Sequence, residues 1–179
     1  DMWCYYNQAD EVELFVNGKS QGVKCKDADN LHVVWRVKFE PGTVKVVARR
    51  KDEVIAEKEI RTAGKPAEIR LTPDRSVLAA DGKDLCFVTV EVLDEEGNLC
   101  PNADNLVNFT VRGNGFIAGV DNGNPVSLER FKDKKRKAFY GKCLVVIQND
   151  GKPGKTELTA TSEGLQQAVV KVSAKDCKL

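Results

Sequence analysis

Apolar side chains recur at every second residue through most of this chain, a rhythm that suits strands half-buried on a sheet and excludes amphipathic helices. In EVELFVNG, Val12, Leu14 and Val16 fall on one side and Glu11 and Glu13 on the other. Asn17-Gly18 is a strong hairpin signal, and Ser20–Lys26 reads as the return strand. His32–Phe39 alternates again and places Val33, Trp35, Val37 and Phe39 together. Pro41-Gly42 marks a turn, and Thr43–Arg50 and Glu53–Ile60 form a hairpin about Lys51-Asp52. No sustained helical stripe appears anywhere.

The short segment Ala63-Gly64-Lys65-Pro66 reads as a linker. The strand rhythm then restarts in Ala67–Pro73, Ser76–Ala79 and Asp84–Leu93, the last with Cys86, Val88, Val90 and Val92 on one face. Asp94–Asn98 is a loop, and further strands are expected at Val107–Arg112, Gly115–Val120, Ala138–Gln148, Gly154–Glu163 and Gln166–Ala174. Short strands at 8–12-residue spacing predict sandwiches or barrels. The expected fold is all-β: two tandem immunoglobulin-like (fibronectin III- or invasin-like) β-sandwich domains, residues 1–63 and 64–179. The first is small, so an initial strand lies upstream of Asp1, or Met2–Tyr6 is itself that strand at an edge.

Composition narrows the function classes. Lys and Arg total 28 against 27 Asp and Glu, a net charge of +1, which offers no global attraction to nucleic acid or anionic membranes. No apolar run is long enough for a membrane-spanning helix. The six cysteines (Cys4, Cys25, Cys86, Cys100, Cys143, Cys177) form no CxxC pair, and His32 is the sole histidine. A zinc site is therefore not expected, and scattered thiols are favoured over three disulfides.

Catalytic constellations are lacking. His32 begins a structural strand, and Gly113-Asn114-Gly115 reads as a β turn because no helix follows it. Asp94, Glu95 and Glu96 cluster in a polar turn, where near-normal pKa values disqualify a general acid. The basic run Lys132–Lys137 (KDKKRK) reads as a solvated loop. Asp121-Asn122-Gly123-Asn124 offers oxygen ligands but not the spacing of a calcium loop, and a tight turn is expected. Asn108-Phe109-Thr110 fits a glycosylation pattern within a strand. No cofactor and no metal are expected.

Aromatic residues outside the core-facing series remain. Sugars stack on exposed rings, while Asp, Asn and Arg bind their hydroxyls. A sugar-binding or docking surface is expected among Trp3, Tyr5, Asp121, Asn122, Asn124, Arg130, Phe131, Arg136 and Tyr140, with docking against a neighbouring domain the favoured use.

Three longer stretches carry a resemblance: LAADGKDLCFVTVEV, GFIAGVDNGNP, and SLERFK followed by RKAFYGKCLVVIQ. Together they resemble the C-terminal immunoglobulin-like domain of bacterial glycoside hydrolase family 2 enzymes, and NQADEVELFVNGKSQG resembles a module that precedes it. The resemblance implies non-catalytic accessory domains of a β-galactosidase-type enzyme, both of whose catalytic Glu residues belong to an upstream (β/α)8 barrel. The implied partners are that barrel, glycans and a second subunit of the parent enzyme. The implied location is the periplasm or surface of a Bacteroidetes-like bacterium. Two rival readings are a carbohydrate-binding module of the same enzyme and an adhesin-type pair of immunoglobulin-like domains.

Overall fold

The computed structural model describes residues 1–27 and 29–176, and every regular element in it is a β-strand. The chain divides into two compact units, Asp1–Thr62 and Ala63–Leu179.

In the first unit, β1 (Met2–Tyr5) pairs antiparallel with β4 (His32–Trp35) in a two-stranded sheet. Facing it is a four-stranded sheet of β2 (Glu11–Val16), β3 (Lys19–Lys24), β5 (Thr43–Arg50) and β6 (Glu53–Arg61), in the order β3-β2-β5-β6. Val12, Leu14 and Ala48 meet Val33 and Trp35 between the layers, with Met2, Cys4 and Tyr6 at the margin. Met2–Tyr5 is thus itself a strand. Asn17-Gly18 and Lys51-Asp52 turn tightly with positive φ at all four residues, as two-residue hairpin loops require. The fourth strand is shorter than the alternation suggests. It stops at Trp35, and Phe39 is exposed instead of joining Val33 and Trp35. Pro41-Gly42 follows two residues later and draws the chain toward β5 before the strand can extend.

In the second unit, two sheets enclose the larger core. One holds β7 (Glu68–Pro73), β9 (Leu85–Leu93), β11 (Gly115–Asp121) and β13 (Lys142–Asn149), in the order β11-β13-β9-β7. The other holds β8 (Val77–Ala79), β10 (Leu106–Gly113), β12 (Lys135–Lys137), β14 (Gly154–Thr161) and β15 (Ala168–Lys175), in the order β12-β10-β14-β15-β8. Val88, Val90, Val145 and Ile147 of the first sheet pack against Val107, Phe109, Leu158, Ala160 and Val172 of the second. Burial of these alternate residues is the principal stabilising term, at about 25 cal/mol per Å2 of apolar surface. The chain crosses from one sheet to the other between β10 and β11. There Gly113 has φ +96°, and a Cβ on it would strike the Lys155 carbonyl, so only glycine fits this corner.

Two expectations fail in this unit, each for its own reason. The segment Ala138–Gln148 is not one strand, because Tyr140 (φ +51°) and Gly141 (φ +77°) form a two-residue hairpin turn, closed by Phe139 and Lys142. The basic run before it is not wholly a solvated loop, because Lys135–Lys137 pairs with Leu106–Asn108 as an edge strand. Cys86, Cys100 and Cys143 are buried, Cys4 is partly buried and Cys25 is exposed, all as free thiols; Cys177 lies outside the described residues.

This layering predicts unequal costs for substitutions on the two faces of the second unit. Ile147→Ala should destabilise it by about 2–5 kcal/mol, because a cavity opens between closed sheets. Val169→Thr, on the outward face of β15, should stay within about 0.5 kcal/mol. Denaturant titration of the two variants measures the contrast.

Candidate functional site

The most organised polar arrangement is built on Arg136. Its strand, β12, pairs Arg136 with Val107, so the side chain shares the inward face of a fully buried valine. An arginine there must find partners or bear a large desolvation cost. It finds them at the end of β11 and in the segment that follows. Nη2 donates to Asp121 Oδ1 (3.2 Å) and Asn122 Oδ1 (3.1 Å), and Nη1 donates to the Glu129 carbonyl (3.1 Å). The guanidinium carbon lies 5.3 Å from the centre of the Phe131 ring. Only Nε lacks a hydrogen-bond partner, and the Glu129 carboxylate stands 3.7 Å from it.

The rest of residues 122–134 folds onto this hub. Asn122 Oδ1 accepts from the Asn124 amide, and Asn122 Nδ2 donates to the Lys137 carbonyl. Glu129 accepts from the Lys137 amide and the Ser127 hydroxyl. The Val120 amide donates to the Phe131 carbonyl. The loop has no regular structure, yet Asn122, Ser127 and Glu129 are bonded within it or to β12. Its apolar side chains are directed outward: Leu128 is 99% exposed, and Val126 and Phe131 are also exposed. Cys143 is buried near Arg136 and Glu129, and burial pushes its thiol up to about 12, so it is inert as a nucleophile.

The structure gathers part of the expected surface. Arg136 touches Asp121, Asn122 and Phe131, and Asn124 joins through Asn122. Arg130 is exposed, and Tyr140 stacks on Phe139 with ring centres 4.4 Å apart and is itself exposed. Trp3 and Tyr5 belong to the first unit. They point outward from β1, with ring centres 4.5 and 5.1 Å from His32. Arg136 requires a correction. With its side chain 1% exposed and all its donors turned into the loop, it cannot serve as a surface ligand for sugar hydroxyls. It holds the loop's shape. The Asp121–Asn124 stretch is likewise committed to Arg136 and to its own turn, and no metal-ligating group of three or more residues occurs among the described residues.

A second correction concerns Asp94. It is buried, not solvated, and its carboxylate accepts from the amides of Gly64 (2.7 Å), Glu96 (3.0 Å) and Asn98 (2.8 Å) and from the Asn98 side chain (3.1 Å). These bonds, the Gly64 amide foremost, hold its pKa down to about 2. A general acid needs the opposite shift, so Asp94 is a structural clamp on the start of the second unit.

Residues 69–171 match the glycoside hydrolase family 2 C-terminal domain 5, and residues 1–56 match a domain of unknown function (DUF4982). A beta-galactosidase of Bacteroides ovatus is 86% identical over 98% of this chain, which corresponds to 21% of that protein. A putative beta-glucuronidase of Formosa agariphila is 34% identical over 82% of this chain and 14% of that protein. A crystal structure of a glycosyl hydrolase family 2 member from Bacteroides cellulosilyticus superposes with a TM-score of 0.88 at 35% identity, covering 94% of this chain and 22% of that one. The chain belongs to the glycoside hydrolase family 2 C-terminal domain 5 family, and it is an accessory, non-catalytic segment. It spans about a fifth or less of the curated relatives named here.

Two outcomes test the site. Arg136→Met should cost about 2 kcal/mol and speed proteolytic cleavage within residues 122–134, because Asp121, Asn122 and Glu129 lose their shared donor. Arg136→Lys should not restore the loop, since one ammonium cannot replace a planar fork with several acceptors. Asp94 sets a pH dependence. Unfolded, it takes up a proton near pH 4, whereas folded it stays ionised to about pH 2. The unfolded state thus binds more protons in that window, and stability falls as pH drops through it. Asp94→Asn should flatten this part of the curve in denaturant midpoints measured from pH 5 to pH 2.

Proposed function

We propose that this chain is the C-terminal accessory portion of a β-galactosidase-type family 2 glycoside hydrolase, whose catalytic region lies elsewhere in a longer polypeptide. Its work is mechanical: two folded β units dock against that region and stabilise it. The observation that carries this reading is the 86% identity to the B. ovatus beta-galactosidase over nearly the whole chain, at only 21% of that protein's length. The relatives bear both galactosidase and glucuronidase names, so the segment is shared across substrate classes and does not set the substrate. The adhesin reading is not favoured by the family match.

The docking face is the outward side of the 122–134 loop. A leucine left almost wholly in water gains only by being covered, and here an inward polar network holds its backbone in place. Preorganisation of this kind lowers the entropic cost of docking.

The 179-residue chain alone should not hydrolyse aryl β-galactosides, while the full-length polypeptide should. Turnover by the purified short chain that survives repurification would overturn the reading. In the full-length enzyme, Leu128→Glu should shorten the half-life of thermal inactivation several-fold and leave KM unchanged. An unchanged half-life would remove this loop from the docking interface.

A further inference from the structure

The first unit is covered on one side only in part, and the pattern of exposure shows where. Hydrogen bonds from Trp35 Nε1 to the Gly22 carbonyl (3.2 Å) and from Lys24 Nζ to the Val34 carbonyl (2.6 Å) place β4 over β3. Met2 and Cys4 pack on the core formed with β2 and β5, so β1 lies on the side of β4 nearer β5. Burial in the facing sheet is greatest in the central strands and falls toward both edges, completely so at β6. Val12 and Leu14 of β2 are fully buried, Val44 and Val46 of β5 are half-buried, and all nine residues of β6 are exposed. Ile60, Lys58 and Ala56 stand opposite Val44, Val46 and Ala48, so they share the inward face of the sheet. Ile60 is nonetheless 54% exposed. The second edge of β1 is open: β1 pairs with β4 and with no other strand among the described residues.

We infer that an extended segment of the same polypeptide, upstream of Asp1, pairs with the open edge of β1 and covers Ile60, Lys58 and Ala56 as a third strand of the small sheet. This rests on the reading of the chain as part of a longer hydrolase. Three observations select this occupant. Any chain preceding Met2 leaves from β1 itself, so a hairpin delivers the segment to that edge by the shortest connection. The relatives are about five times longer than this chain, so polypeptide is on hand. The strip to be covered is the inward face of β6, all nine of whose residues are exposed. The segment should read with apolar residues at alternate positions, directed toward Ile60, since a one-residue slip would turn that set outward. The Lys58 ammonium can remain in water while its stem is covered.

Hydrogen–deuterium exchange on the full-length enzyme tests the proposal. Peptides spanning Met2–Tyr5 and those immediately upstream should exchange about tenfold or more slowly than β3, whose outer edge is open. Ile60→Glu should remove that protection from both peptides, and Ile60→Val should keep it. Fast exchange in the upstream peptide overturns the inference, as does protection of β1 that vanishes on dilution to the monomer, which would identify a second copy as the cover. Assay of the same preparation separates the two readings. A hydrolase with an unprotected upstream peptide loses only the third strand. An inactive protein with the peptide protected loses the functional reading and keeps the strand.

Discussion

A sheet whose alternate residues are apolar must be roofed along its whole inner face, and this single requirement shapes both halves of the chain. Where the roof is complete, as over Val88, Val90, Val145 and Ile147, the residues are excluded from water. Where the small β1–β4 layer ends, the facing strand is exposed along its entire length. The second unit therefore has a closed core, and the first has an open margin on the side of β6. Stability and the need for neighbours follow from the same geometry: a closed core stands by itself, and an open one invites a strand.

The charged groups extend this account. Arg136 lies on the inward face of an edge strand, where a charge needs partners to offset its desolvation. Its four-part set of contacts converts residues 122–134 from a loose crossover into a shaped projection with Leu128 at its surface. Asp94 acts similarly just past the end of β9, tying Gly64 to the Asp94–Asn98 turn. Both are buried ions whose hydrogen bonds go to groups of the protein itself, all but Arg136 Nε being paired. Catalytic carboxylates and bases need a vacancy beside them for substrate, and neither residue has one.

Much of the fold was legible in the sequence because period-2 alternation and turn chemistry act locally. Val12, Leu14 and Val16, the Asn17-Gly18 and Lys51-Asp52 turns, and the Cys86–Val92 stripe all stand where the alternation placed them. The family resemblance also held, carried by long motifs. The failures share a cause: a residue whose role depends on a distant partner gives no local signal. Arg136 sits within five other charged residues of KDKKRK, and its burial depends on Asp121 and Glu129 across a 13-residue loop. Asp94 looked solvated because Gly64, thirty residues earlier, was invisible as its donor. Tyr140 hid a turn because only Gly141 beside it hinted at positive φ. Phe39 continued an alternation that its strand did not.

The supporting role is separable from chemistry by counting competent active sites. Residues 63–179 are deleted from the full-length enzyme, and the surviving sites are titrated with a mechanism-based glycosidase inhibitor before turnover is measured. A mechanical role predicts that kcat per titrated site stays within about twofold of the intact enzyme, while the number of sites decays much faster on warming. A collapse of kcat per titrated site with undiminished thermal lifetime would show that these strands take part in the reaction and would contradict the account.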